Sequence, residues 1–196
     1  MSVLGQVLLA NQHFLQKRAQ KNGDTHVQIS KIPSKNLAIF TCMDTRLVDF
    51  LEPALGIERG AAKVIKNAGN TITGLFNSSI RSLLVSIFEL DVKEIMVIGH
   101  YDCGIAHATA EGLISKMMAR GICPGAIKMI EKDLETWIDG FHHPVENVKH
   151  VVAQIRSNPL IPKDVPVHGL MLDPQTGEIE VIISGYEDIS GESCTC

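Results

Sequence analysis

The sequence predicts an α/β fold: a mainly parallel β-sheet with an antiparallel edge, covered by helices and preceded by an N-terminal helical arm. Three observations predict it. Short continuous apolar runs, LAIFT at 37–41 and EIMVIGH at 94–100, have the length and composition of strands buried on both faces. Segments with helical spacing of apolar residues separate such runs, as the crossovers of a parallel sheet require. The stretch VHGLMLDPQTGEIEVII reads as strand, turn and strand, with Asp173-Pro174-Gln175-Thr176-Gly177 at the reversal.

Taken in order, the first twenty or so residues carry Val3, Leu4, Val7, Leu8 and Phe14 at helical spacing, which predicts an amphipathic helix. KNGDTHVQISKIPSKN is polar and punctuated by Gly23 and Pro33, so it reads as an extended connector. The chain thus reads as a single domain over 1–196, with the arm and connector at 1–35 and the α/β core at 36–196. After the LAIFT strand, LVDFLEPALGI suggests a short helix broken near Pro53 and Gly56, and AKVIKNAGN (62–70) a second strand with a glycine-containing loop. NSSIRSLLVSIFELD places Ile80, Leu83, Leu84, Ile87 and Phe88 on one helical face, with Asn77 or Ser78 as the cap. Beyond the EIMVIGH strand, IAHATAEGLISKMMARG and PGAIKMIEKDLETWIDG read as helices stopped by glycine, and PVENVKHVVAQIRSN as a helix led by Pro144.

A chain of 196 residues with 45% hydrophobic content can bury a core without staples. Net charge is −4 with scattered Lys and Arg, so there is no basic footprint for nucleic acid. No apolar run reaches the ~20 residues of a membrane span. Small-molecule partners are expected. The five cysteines are odd in number and irregular in spacing, and no secretory signal is visible. That usage predicts a reducing, cytoplasmic location in which cysteine serves metal binding or catalysis.

In open α/β sheets, functional groups gather where strands end. LAIFT runs into Cys42-Met43-Asp44-Thr45-Arg46, and EIMVIG runs into His100-Tyr101-Asp102-Cys103. If the two strands are neighbours, Cys42, His100 and Cys103 converge. Two thiolates and an imidazole are three legs of a zinc tetrahedron, the catalytic ligand count, with the fourth left to water or substrate. Two thiolates neutralise the ion and blunt its effect on water, so a helper is useful. Asp44 is placed to accept a hydrogen bond from the nucleophile, and the Arg46 fork to hold Asp44 ionised. The same closeness carries a risk, since Asp44 can swing onto the metal and close the site if Arg46 lets go.

CMDTR and HYDCG resemble the Cys-x-Asp-x-Arg and His-x-x-Cys motifs of β-class carbonic anhydrases, and the likeness looks closest to the short prokaryotic branch. It extends through LGIERGAAKVIKNAG and SIRSLLVSIFEL to VIGHYDCG, roughly residues 37–104. The resemblance implies reversible hydration of CO2 to bicarbonate and a proton by zinc-bound hydroxide, with one Zn2+ per subunit. It implies a homodimer or a dimer of dimers, with the helical arm reaching across to the partner subunit. By position it implies Cys42, His100 and Cys103 as ligands, Asp44 and Arg46 as the catalytic dyad, and Asn67, Ala68 and Gly69 as lining of the substrate pocket, mainly through backbone groups. Activity that rises toward alkaline pH is expected.

Relatives that hydrolyse carbon disulfide or carbonyl sulfide keep the same motifs, so the motifs leave that alternative open. A non-catalytic zinc protein is a further alternative, and a fourth position filled by Asp44 or His107 would favour it. Asp102 reads as a turn residue accepting backbone hydrogen bonds. His107 reads as a solvated surface histidine, Met117, Met118 and Trp137 as packing, and Cys194 and Cys196 as part of a frayed end. No glycine-rich phosphate loop surrounds Gly69 or Gly74.

Overall fold

A computed structural model describes residues 2–22, 28–141 and 143–188. The LAIFT run becomes strand β1 (Leu37–Cys42), followed by β2 (Ala62–Asn67) and β3 (Glu94–His100), and the C-terminal hairpin supplies β4 (Val167–Leu172) and β5 (Ile179–Ile183). They form one sheet in the order β2-β1-β3-β4-β5. β1 pairs in parallel with β2 and β3, β3 pairs in parallel with β4, and only β5 runs antiparallel. Every residue of β1 and β4 is buried, which is why LAIFT reads as an unbroken apolar run, while β4 carries the polar His168 in its buried stretch. β2 lies at an edge, and its lysines Lys63 and Lys66 leave that edge charged.

The chain divides into two compact units, residues 1–30 and 31–196. In the first, helix α1 (Val3–Asn22) carries Val3, Leu4, Val7, Leu8 and Phe14 with exposed side chains. The second holds α2 (Leu51–Ala54), α3 (Ser78–Phe88), α4 (Ala110–Ala119), α5 (Pro124–Lys128), α6 (Glu131–Ile138) and α7 (Pro144–Ser157). Asn77 caps α3 by accepting a hydrogen bond from the Ile80 N–H at 2.9 Å.

Two core clusters sandwich the sheet. One joins Ala38, Phe40, Val97 and Met171 to Ile80 and Leu83 of α3 and to Val148, Val151, Val152 and Ile155 of α7. The other joins Leu37, Ile39, Ile98 and Leu172 to Leu47, Leu51 and Phe141, and it contains Cys42 and Cys103. The second cluster therefore walls in the strand ends that carry the predicted ligands. Helix α7 approaches the sheet over Gly99, where a Cβ would meet Val148 Cγ2 at 2.5 Å and Met171 Sδ at 2.9 Å.

Two helices differ from the sequence reading. The segment after Cys103 makes a short 3-10 turn (Gly104–His107), and α4 starts only at Ala110, because Thr109 Oγ1 caps it by accepting from the Gly112 N–H. The stretch 124–140 is two helices rather than one. Gly125 and the β-branched Ile127 and Ile130 weaken helix there, and the Ile130 carbonyl opens α6 by accepting from the Leu134 N–H at 2.8 Å.

Candidate metal centre

Cys42 ends β1 and His100 ends β3. The strands are parallel neighbours with Thr41 opposite Ile98, so both ends emerge at the same edge of the sheet. Asp102, at φ 52°, turns the chain after His100, and Cys103 follows. The donor atoms of Cys42, His100 and Cys103 all lie within 4.8 Å of one another, and all three residues are buried.

The sulfur separation suits tetrahedral coordination. The two Sγ atoms are 3.9 Å apart. That is too far for a disulfide, and two Zn–S bonds of ~2.3 Å at the tetrahedral angle would separate the sulfurs by about 3.8 Å. His100 Nδ1 lies 2.9 Å from the Tyr101 carbonyl oxygen, which only accepts, so Nδ1 carries the proton and Nε2 offers its lone pair. Nε2 is buried and has no hydrogen-bond partner among the described residues. A buried acceptor left bare is costly unless something electrophilic meets it.

The thiols are electrically unequal. A hydrogen bond from Cys103 pulls the Cys42 thiol far below its ordinary range against the opposing effect of burial, helped by His100 and the backbone N–H groups of Gly69 and Asp44. The same hydrogen bond, together with burial, pushes Cys103 up. Of the two thiols, Cys42 is thus the one that loses its proton more readily. For His100, burial is the largest single influence and favours the neutral ring, but Cys42, the Tyr101 carbonyl and Asp44 together outweigh it and the net shift is upward. Two thiol sulfurs and an imidazole converging this closely are a donor set suited to zinc.

Asp44 leaves β1 and caps the 3-10 turn Thr45–Leu47, its Oδ1 accepting from the Arg46 N–H at 2.9 Å. The Arg46 fork closes on the same carboxylate, Nε to Oδ1 at 3.0 Å and Nη2 to Oδ2 at 2.9 Å. Those bonds hold Asp44 down to about 2, so it is ionised throughout the neutral range. Asp44 Oδ2 is also only 3.7 Å from His100 Nε2. The carboxylate therefore stands beside the cluster while Arg46 holds it.

The loop Asn67–Thr71 forms one wall. The Asn67 amide donates to the Thr71 carbonyl and to Ser79 Oγ, and its Oδ1 accepts from the Thr71 N–H. From farther away, Trp137 Nε1 donates to Thr71 Oγ1 at 2.8 Å and Asn147 Nδ2 to the Gly69 carbonyl at 3.0 Å. Asn67 and Ala68 also line a cavity of about 920 Å³ with Asn77, Trp137, His150 and Gln154. Neither the three candidate ligands nor Asp44 and Arg46 line that cavity.

The structure thus brings together Cys42, His100, Cys103, Asp44 and Arg46, and sets the Gly69 backbone beside Cys42. His107 is exposed and stays outside the cluster, its Nε2 3.9 Å from Asp102 Oδ1. Asp102 differs from its sequence reading, because its carboxylate accepts from Arg46. Its place between two ligands was the only available signal. Trp137 and Asn147 reach the loop from 66 and 78 residues away, which no local pattern could register. Cys123 is exposed, and Cys194 and Cys196 lie outside the described residues.

Comparison with known proteins gives the same picture. The carbonic anhydrase family model matches residues 37–179. A solved β-carbonic anhydrase, isoform I of Trichomonas vaginalis, superposes with a TM-score of 0.90 at 45% identity, covering 95% of this chain and 100% of that one. A Bacillus subtilis protein provisionally named carbonic anhydrase YvdA is 41% identical over 190 residues, spanning 95% of this chain and 94% of its own. A carbon disulfide hydrolase from Acidianus is 30% identical over 165 residues, with coverage of 76% and 78%. With the family model spanning both strand-end motifs and the whole sheet up to the start of β5, this chain belongs to the β-carbonic anhydrase family.

Proposed function

We infer that this chain catalyses the reversible hydration of CO2 to bicarbonate and a proton, as a zinc enzyme. The observation that carries this reading is the buried Cys42–His100–Cys103 cluster with a bare Nε2, flanked by a carboxylate that Arg46 holds beside it. Zinc bound by these three residues would supply the Lewis acidity that makes water a nucleophile, more weakly than a site of neutral ligands would. Asp44 accepts a hydrogen bond from the attacking water and aims it, which pre-organises the attack. Arg46 keeps that carboxylate ionised and oriented. The walls of the second core cluster exclude bulk water, and the Asn67–Gly69 backbone lines the approach of a small linear substrate. Because two thiolates blunt the metal, activity rises toward alkaline pH.

Family likeness also supports a homodimer or dimer of dimers, and the cysteine usage a cytoplasmic location. Metal analysis with stopped-flow CO2 hydration, on wild type and Asp44→Ala, tests the reading. One zinc per chain and hydration in wild type are expected, with turnover falling about 10²-fold or more in the variant. Zinc bound without hydration in wild type sinks the carbonic anhydrase reading, and turnover of carbon disulfide or carbonyl sulfide in its place supports the hydrolase. Unchanged activity in Asp44→Ala sinks the dyad.

A further inference from the structure

Asp102 lies between two candidate ligands, yet its side chain faces neither of them in any hydrogen bond. Arg46 Nη1 donates to Asp102 Oδ2 at 2.8 Å, and Nη2 donates to the Asp102 backbone carbonyl at 2.7 Å. The other two bonds of the same guanidinium, from Nε and Nη2, go to Asp44. All three guanidinium nitrogens are therefore held, from one side by the segment after β1 and from the other by the segment after β3. The left-handed backbone at Asp102, φ 52°, accompanies this arrangement, in which one residue presents a carboxylate and a carbonyl to the same fork.

As a surface ion pair the contact contributes little to stability, since Asp102 is 72% exposed and Arg46 31%. Its consequence is orientation. Asp44 Oδ2 is 3.7 Å from His100 Nε2, so a small rotation separates the clamped carboxylate from the ligand cluster. A guanidinium tied only to Asp44 would move with it. One also tied to the far strand cannot follow, and it anchors Asp44 against that rotation.

We propose that Asp102 is a positioning residue: by anchoring Arg46 from the β3 side it holds the Asp44 carboxylate beside the Cys42–His100–Cys103 cluster and keeps it from swinging onto it. The effect on turnover rests on the carbonic anhydrase reading, whereas the anchoring does not. The test compares zinc-loaded wild type with Asp102→Gly and Asp102→Asn. Glycine removes the carboxylate and accepts the left-handed backbone, and asparagine keeps that backbone and an acceptor oxygen. Nitrogen-15 NMR of the Arg46 side chain reads rotation about Cζ–Nη, and stopped-flow reads CO2 hydration.

Asp102→Gly is expected to speed the Nη rotation of Arg46 and to lower kcat about 10-fold with KM within about twofold. Asp102→Asn is expected to slow the rotation again and return kcat to within about threefold of wild type. Arg46 rotation as slow in Asp102→Gly as in wild type overturns the proposal, as does an unchanged kcat or a failure of asparagine to restore it. If Asp102→Gly does not fold, Asp102→Ser, whose side chain is too short to reach the fork, supplies the same two readings. A wild type that hydrates no CO2 overturns the functional reading, and the NMR comparison still decides the anchoring.

Discussion

Gly69→Ala offers a prediction whose size can be worked from the coordinates. Gly69 sits at φ 69°, ψ 14° in the wall loop, and its backbone N–H reaches Cys42. A Cβ built there meets Ile105 Cγ2 at 2.8 Å and the Phe141 ring at 3.2 and 3.4 Å. Placing alanine in the left-handed region costs about 1–2 kcal/mol, and forcing the neighbours apart a further 1–3. Stiffening the unfolded chain returns about 0.4–1 kcal/mol, so the net loss is about 1–5 kcal/mol. Ile105 is half-buried and able to move, whereas Phe141 is locked in the core at 2% exposure. Truncating Ile105 should therefore relieve part of the steric loss and none of the backbone loss. Urea unfolding of the metal-free protein, on Gly69→Ala, Ile105→Ala and the double variant, should give a favourable coupling of about 1–2 kcal/mol. Zinc affinity should also fall in Gly69→Ala, as the displaced N–H no longer stabilises the Cys42 thiolate. A single variant within about 0.5 kcal/mol of wild type, or a coupling below that value, would refute the steric account.

Two further predictions probe the walls and the clamp. Trp137→Phe keeps an aromatic ring but deletes the donor to Thr71 Oγ1 along with part of the indole's volume, so stability should fall by about 1 kcal/mol or more with zinc content unchanged; urea unfolding reads the first and metal analysis the second. A variant as stable as wild type would show that the bond to Thr71 contributes nothing to stability. For Asp44, Arg46 lowers the folded value to about 2 against an ordinary 3.8, so the clamp's stabilisation is complete above the ordinary value and lost as pH falls through about 2. The stability gap between metal-free wild type and Asp44→Asn should hold steady above about pH 5 and shrink below about pH 4, read by unfolding at each pH; a gap that widens on acidification contradicts the sign.

Much of the fold is legible in the sequence because the informative signals are local. β1 and β3 announce themselves as short apolar runs, and Asn77 as the cap of α3. Asp173 to Gly177 mark the hairpin that becomes β4 and β5. Helix ends were less legible. The start of α4 depends on a Thr109 side-chain bond, and the break between α5 and α6 on weak helix formers. The candidate ligands were legible as residue types at strand ends, and Asp44 with Arg46 as a pair two residues apart.

What the sequence by itself determined was the inventory: two strand ends bearing thiols and an imidazole, a carboxylate with its clamp beside one of them, and a core large enough to bury both. The tertiary structure alone decided the meeting. Strand order makes β1 and β3 neighbours, and their register sets the sulfurs 3.9 Å apart with His100 Nε2 bare between strand ends. It also joins Arg46 to Asp102 across 56 residues, and the wall loop to Trp137 and Asn147. The physical reason is that periodicity, caps and turns are written within a few residues, whereas strand pairing and side-chain contact between distant segments exist only after the chain has packed.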